Sequence, residues 1–306
     1  MKKLLFCLAI LALSSCGLSP GPVARKIVPM EDSEACYTAI LPEGPLEGYL
    51  ILLPGFGESE EDVLSETELP FTLAKKGIAV FIPTLQDGPE TYGFTPESQR
   101  TLALIKEDIL ARYKLRGMPF FVGGFSMGGS AAVRFAECSS DKPHGLFIID
   151  SPLDMERFYY SLRRDVDVYR KGLEEGDSTY LVLLHDITDI MGGSPEECRN
   201  NYYEISPYSI GDTSMRAIRP LVDIPIRVYI EPAEGWWLDN RSTDVLGLNI
   251  QDATAFVNDL RLLGAKDVEF IPTSGRGRRR RTGTYHPHSW SIVDAEGLVE
   301  WMKEHL

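Results

Sequence analysis

The chain has 306 residues, of which 43% are hydrophobic and 25% are charged, as is ordinary for a globular protein with a sizeable core. Its formal net charge of −14 argues against general nucleic-acid binding, because an acidic surface repels phosphates. No long apolar run follows residue 15, so no later segment is expected to span a membrane.

The N-terminus reads as a targeting segment. Lys2 and Lys3 precede an apolar run over residues 4–13, which is too short to span a bilayer comfortably. Small residues then lead directly to Cys16 in "LSSC", and this pattern resembles a bacterial lipoprotein signal whose cysteine is lipidated. The alternative is an ordinary secretory signal that is cut near Ala12.

The lipoprotein interpretation divides the chain into a signal (1–15), a flexible tether (16–34) and one domain (35–306). It predicts a protein outside the cytoplasm, lipid-anchored to a bacterial membrane, where disulfides can form. Three cysteines remain in the mature domain, at Cys36, Cys138 and Cys198, so at most one bridge is possible. Their spacing does not resemble a metal site, and we expect buried structural thiols.

Short apolar runs alternate with longer amphipathic stretches along the domain. Strands are predicted at 48–55, 78–85, 118–126, 145–150, 224–230 and 267–273, and helices at 60–77, 95–115, 127–137, 249–263 and 291–305. This alternation, with continuous apolar strands, predicts a mostly parallel sheet covered on both faces. Residues 152–222 break the pattern and are predicted to form a helical lid over the carboxyl edge of the sheet.

One serine lies where a predicted strand meets a predicted helix. The stretch "GFSMG" (124–128) places Ser126 between two glycines, and it matches G-x-S-x-G, the pattern of a nucleophile on a strained strand-to-helix turn. The context favours a catalytic serine over a tight glycine turn with an incidental hydroxyl. An acyl-transfer site also needs an oxyanion hole, and the loop "LLPGFGES" (52–59) follows a strand. We expect the Phe56 and Met127 N–H groups to form it.

A general base is expected late in the chain, in "YHPHSWSIV" (285–293). His288 is the preferred candidate because it leads directly into the final helix. His286 is the alternative; the proline after it favours an extended loop residue.

The nucleophile elbow and "HSW", in this strand order, resemble the α/β-hydrolase family over residues 46–306. The resemblance implies a serine hydrolase with a Ser-acid-His triad, and it places the acid in "EPAEGWWLDN" (231–240). Glu231, Glu234 and Asp239 are available there. Glu234 is preferred and Asp239 is second, and Asp150, after the fourth strand, is third.

The predicted chemistry needs neither a metal nor an organic cofactor. Aromatic residues near the expected site, among them Trp236, Trp237, Trp290, Tyr202, Tyr203 and Tyr208, suit either sugar stacking or core packing. We expect a carboxylic ester hydrolase acting on acylated carbohydrate or small esters. Lipase or thioesterase, serine peptidase and a non-catalytic binding module are the alternatives.

A basic run lies in the segment before His288. Five arginines, Arg276 and Arg278 to Arg281, occur in "GRGRRRR" (275–281) of an otherwise acidic chain. They are interpreted as a solvated basic loop, as a site for an anionic substrate, or as a contact with anionic lipid headgroups.

Overall fold

A computed structural model describes residues 22–27, 35–85, 91–170 and 178–306. The predicted signal segment and Cys16 lie outside the described residues. None of the helices in these ranges is long and apolar enough to cross a membrane.

The fold is organised around an eight-stranded sheet. Its strands are β1 (Ala24–Ile27), β2 (Cys36–Ile40), β3 (Gly48–Leu53), β4 (Ile78–Thr84), β5 (Phe120–Phe125), β6 (Gly145–Ile149), β7 (Ile226–Ile230) and β8 (Val268–Pro272). They lie in the order β1-β2-β4-β3-β5-β6-β7-β8. β2 pairs antiparallel with both of its neighbours, and every pair from β4 to β8 is parallel. The parallel pairs bring the carboxyl ends of β3, β5, β6 and β7 to one edge.

Helices connect and cover these strands. They are α1 (Glu60–Glu66), α2 (Leu69–Lys75), α3 (Pro96–Arg112), α4 (Met127–Cys138), α5 (Met155–Asp167), α6 (Thr179–Met191), α7 (Pro195–Ile205), α8 (Glu234–Arg241), α9 (Ile250–Leu262) and α10 (Ala295–Glu304). Short 3-10 turns lie at Arg219–Leu221, Val245–Gly247 and Trp290–Ile292.

The core lies on both faces of the sheet. Along β3, Tyr49 and Ile51 point into the layer formed with α3, α4 and α9, whereas Leu50 and Leu52 point into the layer formed with α1, α2 and α10. Alternate side chains of a strand face opposite sides of the sheet, so a strand buried on both faces is apolar throughout. This confirms the interpretation of continuous apolar runs as interior parallel strands.

The predicted six strands and the helical insert over 152–222 are present. The insert contains α5, α6 and α7, and a separate apolar cluster beneath it includes Phe94, Tyr159 and Ile187. The predicted helix 60–77 is divided into α1 and α2, with Pro70 in the first turn of the second, where a missing N–H costs no helical bond.

Two predictions about the N-terminal part and the cysteines need correction. The predicted tether (16–34) contains β1, which pairs with β2 in the sheet, so the folded domain begins before residue 35. The cysteines at 36, 138 and 198 are all free thiols; the first is buried, but Cys138 is exposed and Cys198 is partly exposed. The expectation of buried structural thiols therefore holds only for Cys36.

Candidate active site

Ser126 occupies a strained turn between β5 and α4. Its φ and ψ are 53° and −126°, a region that costs a non-glycine residue on the order of 1–3 kcal/mol. The Ser126 N–H donates to Ile149 O at 2.8 Å, which ties the turn to the end of β6. The side chain is partly exposed and lines a cavity at the carboxyl edge of the sheet.

The glycines around Ser126 are required by close backbone contacts. A Cβ on Gly124 would lie 2.3 Å from the carbonyl of Gly128, and a Cβ on Gly128 would lie 2.2 Å from Leu53 O. Real Cβ atoms do not approach other atoms this closely, so any side chain at either position would displace the backbone. The G-x-S-x-G pattern is therefore explained by the packing of α4 against the ends of β3 and β5.

The imidazole of His288 packs beside this turn. Its ring centroid lies 4.4 Å from that of Phe125, the residue before Ser126, and both His288 and Ser126 line the cavity. His288 Nδ1 lies 2.8 Å from Oδ2 of Asp150, which is 5% exposed. A carboxylate only accepts hydrogen bonds, so Nδ1 is the donor, and in the neutral imidazole the lone pair is then on Nε2.

The carboxylate on His288 thus comes from Asp150, directly after β6, and the expectation that Glu234 takes this place is wrong. Glu234 is the first residue of α8 and Asp239 is near its end, and both are exposed. The loop after β7 is instead occupied by Glu231, which is 1% exposed. Asp150 has a φ of 46°, which turns the chain at the end of β6.

Asn249 also holds Asp150, and no pattern in the sequence marks this asparagine as a site residue. Its Nδ2 donates to Asp150 O at 3.0 Å and to Asp150 Oδ1 at 3.1 Å. Its own Oδ1 accepts from Arg157 Nη2 at 3.3 Å, and Arg157 is paired with the fully buried Asp252. A polar chain from α5 and α9 therefore fixes the carboxylate that orients His288.

No protein-family model and no curated protein matches this chain. Several solved structures do resemble it. A carboxyl esterase from Bacillus coagulans superposes with a TM-score of 0.56 at 15% identity, over 94% of this chain and 99% of that one. Carboxyl esterase 2 from Tuber melanosporum superposes with a TM-score of 0.59 at 14% identity, over 96% of this chain and 89% of that one. A hormone-sensitive lipase from a metagenome library superposes with a TM-score of 0.58 at 14% identity, over 94% of this chain and 87% of that one. The chain has the α/β-hydrolase fold.

In this α/β-hydrolase fold, the loop between β3 and α1 faces the helix that follows Ser126. Phe56 and Gly57 form a turn closed by the Glu58 N–H on Gly55 O at 3.1 Å, and Gly57 has a φ of 75°. Met127 is the first residue of α4, so its N–H has no acceptor within the helix. Phe56 and Met127 both line the cavity, as an oxyanion hole requires.

Glu58 connects this loop to the histidine loop, a contact that the sequence did not reveal. Its Oε2 accepts from the Gly55 N–H at 2.9 Å, and both of its carboxylate oxygens accept from Trp290 Nε1 at 3.2 Å. Burial raises the pKa of Glu58, against the lowering effect of these hydrogen bonds and of the neighbouring His288 and Arg279. A charged residue within a glycine-rich loop is the one sequence feature that marks it.

His286 lies in the same cavity but in a different environment. Its Nδ1 lies 3.0 Å from the backbone oxygen of His288, and its ring meets that of Trp236 edge-on at 4.8 Å. Burial, together with the nearby charges of Arg279, His288 and Arg241, lowers the pKa of His286 to about 4. His286 is therefore a neutral side chain that supports the backbone at His288.

The lid and the loop after β7 enclose a cavity of about 430 Å³. Helices α5 and α6 contribute Phe158, Leu162 and Leu183, and the opposite wall carries Trp237. Among the other aromatic residues singled out in the sequence, Tyr202, Tyr208 and Trp290 are buried in the core. The predicted position of the helical insert, over the carboxyl edge, is confirmed.

Glu231 organises the segment that leads to His288. It accepts from Tyr285 Oη at 2.6 Å, from Thr273 Oγ1 at 2.9 Å, and from the N–H groups of Arg276 and Gly277 at 3.0 and 3.2 Å. These four donors keep the pKa of Glu231 below its ordinary value in spite of burial. The carboxylate after β7 thus fixes the loop rather than the imidazole.

Proposed function

We propose that the protein is a serine hydrolase that cleaves carboxylic esters through an acyl-enzyme intermediate. Ser126 is the nucleophile, His288 the general base and Asp150 the acid of the triad. The observation that carries this proposal is the His288–Asp150 hydrogen bond, made in the cavity that the strained Ser126 also lines. This is the arrangement of nucleophile, base and orienting carboxylate that acyl transfer requires.

The first half-reaction follows from the tautomer of His288. With Nδ1–H bound to Asp150, Nε2 takes the proton of Ser126 as Oγ attacks the acyl carbon, and the carbonyl oxygen becomes an oxyanion. The N–H groups of Phe56 and Met127 stabilise that charge, and the N-terminus of α4 adds a favourable dipole. The Asp150 carboxylate stabilises the imidazolium that forms.

Acylation is completed by general acid catalysis, and deacylation by water then follows as the second half-reaction. The imidazolium of His288 gives its proton to the leaving alkoxide, and the C–O bond to the alcohol breaks, leaving the acyl group on Ser126. Water then enters, His288 takes one of its protons, and the hydroxide attacks the acyl carbon. Collapse of the second tetrahedral intermediate releases the carboxylic acid and returns the proton to Ser126. The scheme requires no metal and no organic cofactor.

The cavity supports small esters or acylated carbohydrates as substrates. A volume of about 430 Å³ lies within the range of small-molecule sites. Its wall combines apolar side chains from α5 and α6 with the indole of Trp237, and an exposed aromatic face can stack on a sugar ring or an aryl group.

A substrate panel on matched variants tests this proposal. Aryl esters, acetylated glycans and peptides would be supplied to the wild type, to Ser126→Ala, and to Ser139→Ala as a control at the other end of α4. We expect ester hydrolysis by the wild type and the control, and loss of at least about 10³-fold in Ser126→Ala. Equal hydrolysis by all three proteins would contradict the proposal.

We also propose that Cys16 carries lipid and anchors the enzyme to an extracytoplasmic membrane face. The support is the sequence pattern alone: two lysines, an apolar run and "LSSC". Expression in a bacterial host, membrane fractionation and mass spectrometry of the mature N-terminus test it. The wild type should begin at a lipidated Cys16, and Cys16→Ser should be released or remain unprocessed. A different mature N-terminus would contradict the proposal.

A further inference from the structure

The arginine-rich segment before His288 forms a hairpin whose side chains have separate partners. Arg278 and Tyr285 form a β-bridge, and the Arg279 N–H donates to Thr284 O at 2.9 Å. Arg278 lies over the ring of Tyr285 at 5.2 Å. Arg276 lines a different surface cavity, beside α10.

Two arginines of the hairpin are neutralised by α1 and the residues after it. Arg280 pairs with Glu68, and its N–H donates to Glu66 at 2.8 Å. Arg281 pairs with Asp62 and donates to Ser65 Oγ at 2.8 Å. The side chains of Arg280 and Arg281 therefore hold the hairpin against α1. For these two arginines, the interpretation as a basic loop that offsets local acidic charge is sufficient.

Arg279 differs from these neighbours because it lines the active-site cavity. Arg241, in the last turn of α8, lines the same cavity. Within the described ranges neither guanidinium forms an ion pair, whereas both act on His286 strongly enough to lower its pKa further. Arg279 is half-buried and Arg241 is exposed.

The carboxylates that line the cavity have hydrogen-bond partners other than these two arginines, and the charge of Arg279 also acts on the neighbouring Glu58. Asp150 is bound by His288 and Asn249, and Glu231 by four donors of the β8 side. Asp165, on α5, is buried and has a partner within the protein. Arg279 and Arg241 are thus the cationic side chains of the wall whose guanidinium groups form no ion pair among the described residues, and they can meet an anionic ligand.

We propose that Arg279 and Arg241 form a recognition site for a carboxylate of the substrate, so that the enzyme prefers esters that bear a second, free carboxylate. This inference rests on the proposed ester hydrolase function. A guanidinium binds a carboxylate through two parallel N–H···O bonds. The hairpin is already held by contacts of Arg280, Arg281 and Tyr285, so binding need not order the backbone at Arg279.

Two substrate pairs test this inference, because the carboxylate can lie on either side of the scissile bond. In the first pair, the monoadipate ester of 4-nitrophenol carries the free carboxylate on the acyl side, and the heptanoate ester of 4-nitrophenol lacks it. In the second pair, the butyrate ester of 4-hydroxybenzoate carries the free carboxylate on the alcohol side, and the butyrate ester of 4-hydroxybenzamide lacks it. The measured quantity is the ratio of kcat/KM for the anionic ester to that for its neutral partner.

We expect that ratio to fall at least about tenfold in Arg241→Gln/Arg279→Gln for one of the two pairs, because charge-assisted hydrogen bonds are lost. Raising the NaCl concentration from about 0.05 M to about 0.5 M should lower the same ratio in the wild type, since exposed charges are screened. Arg276→Gln removes one positive charge from the same segment, as each of the two single variants Arg241→Gln and Arg279→Gln does, and it should alter neither the ratio nor its salt dependence.

The outcomes separate this inference from the function on which it rests. If Ser126-dependent hydrolysis is measured but both ratios stay within about twofold in the double variant and in salt, only carboxylate recognition is refuted. If no ester is hydrolysed by the wild type, both the function and the inference are refuted. Should the double variant fail to fold, the salt dependence and the two single variants decide the question.

Discussion

Asp150→Asn tests the proposal that Asp150 is the acid of the triad. Asn249 Nδ2 donates to Asp150 Oδ1 at 3.1 Å, so the oxygen of a new amide at position 150 would stay on Asn249. The amide nitrogen would then face His288 Nδ1 as a donor. The imidazole would have to accept there, placing its proton on Nε2 and removing the lone pair that Ser126 needs.

The expected loss in kcat is on the order of 10⁴-fold, as for a triad forced into the wrong tautomer, which corresponds to about 5.4 kcal/mol in the barrier. Asparagine tolerates the positive φ of 46° at this position, so the variant should fold. The assay is release of 4-nitrophenol from a neutral ester, with thermal unfolding as the check on folding. Glu234→Gln, an exposed carboxylate-to-amide change on α8, is the matched control and should lose less than about twofold. A large loss in Glu234→Gln with near-normal Asp150→Asn would refute the assignment.

Three further predictions follow from the geometry. His288→Ala should lower kcat by about 10³-fold or more. His286→Ala should lower kcat far less, because the Nδ1 of His286 meets a backbone oxygen rather than a carboxylate. Ester kinetics that show the reverse order would contradict the assignment of His288 as the base. Gly128→Ala should destabilise the fold by about 1–3 kcal/mol, since the new methyl group would lie 2.2 Å from Leu53 O; an unchanged urea midpoint would refute this. Asp154 is the buried N-cap residue of α5, and burial together with the nearby Asp252 raises its pKa to about 6. The native state therefore binds more protons than the unfolded state between about pH 4 and 6, and stability should fall by up to about 3 kcal/mol as pH rises through that window. Urea denaturation of Asp154→Asn should lack this fall, and an identical pH profile would count against it.

Most of the fold could be predicted from local patterns. The interior strands are apolar on both faces, as at Leu50 and Ile51, and the helices carry clear starts such as Thr95, whose side chain caps α3. β1 and β2 were both missed. "CYTAI" (36–40), the strand β2, is only five residues long, and "ARKI" (24–27) is short and polar at the sheet edge, where one face and one edge are open to solvent. Such a strand is defined by its partner β2 rather than by its own residues.

The site was predicted in part for a comparable reason. Ser126 and His288 are predicted as site residues because each has a local signature beside a strand end, and the structure places both at one cavity. The acid had no such signature: β6 and β7 are neighbours in the sheet, so a carboxylate after either strand is near the imidazole. Asp150 could be preferred over Glu231 only once the donors that surround Glu231 were known.

Contacts between distant parts of the chain were beyond local patterns. Arg280 and Arg281 lie more than two hundred residues after Glu68 and Asp62, and no local pattern in either segment predicts that the two are in contact. As a result, the five arginines could not be divided into those that hold the hairpin and Arg279, which lines the cavity. The contact of Asn249 with Asp150 could not be predicted for the same reason, because a single asparagine before a helix is common and does not indicate a functional role.

The central claim is that Ser126 is the covalent nucleophile, and active-site labelling tests it most directly. The folded protein would be treated with a fluorophosphonate, digested and analysed by mass spectrometry. We predict one stoichiometric adduct on the peptide that contains Ser126, formed in the wild type and absent from Ser126→Ala. An adduct on another serine, or no adduct on protein shown to be folded, would contradict the account.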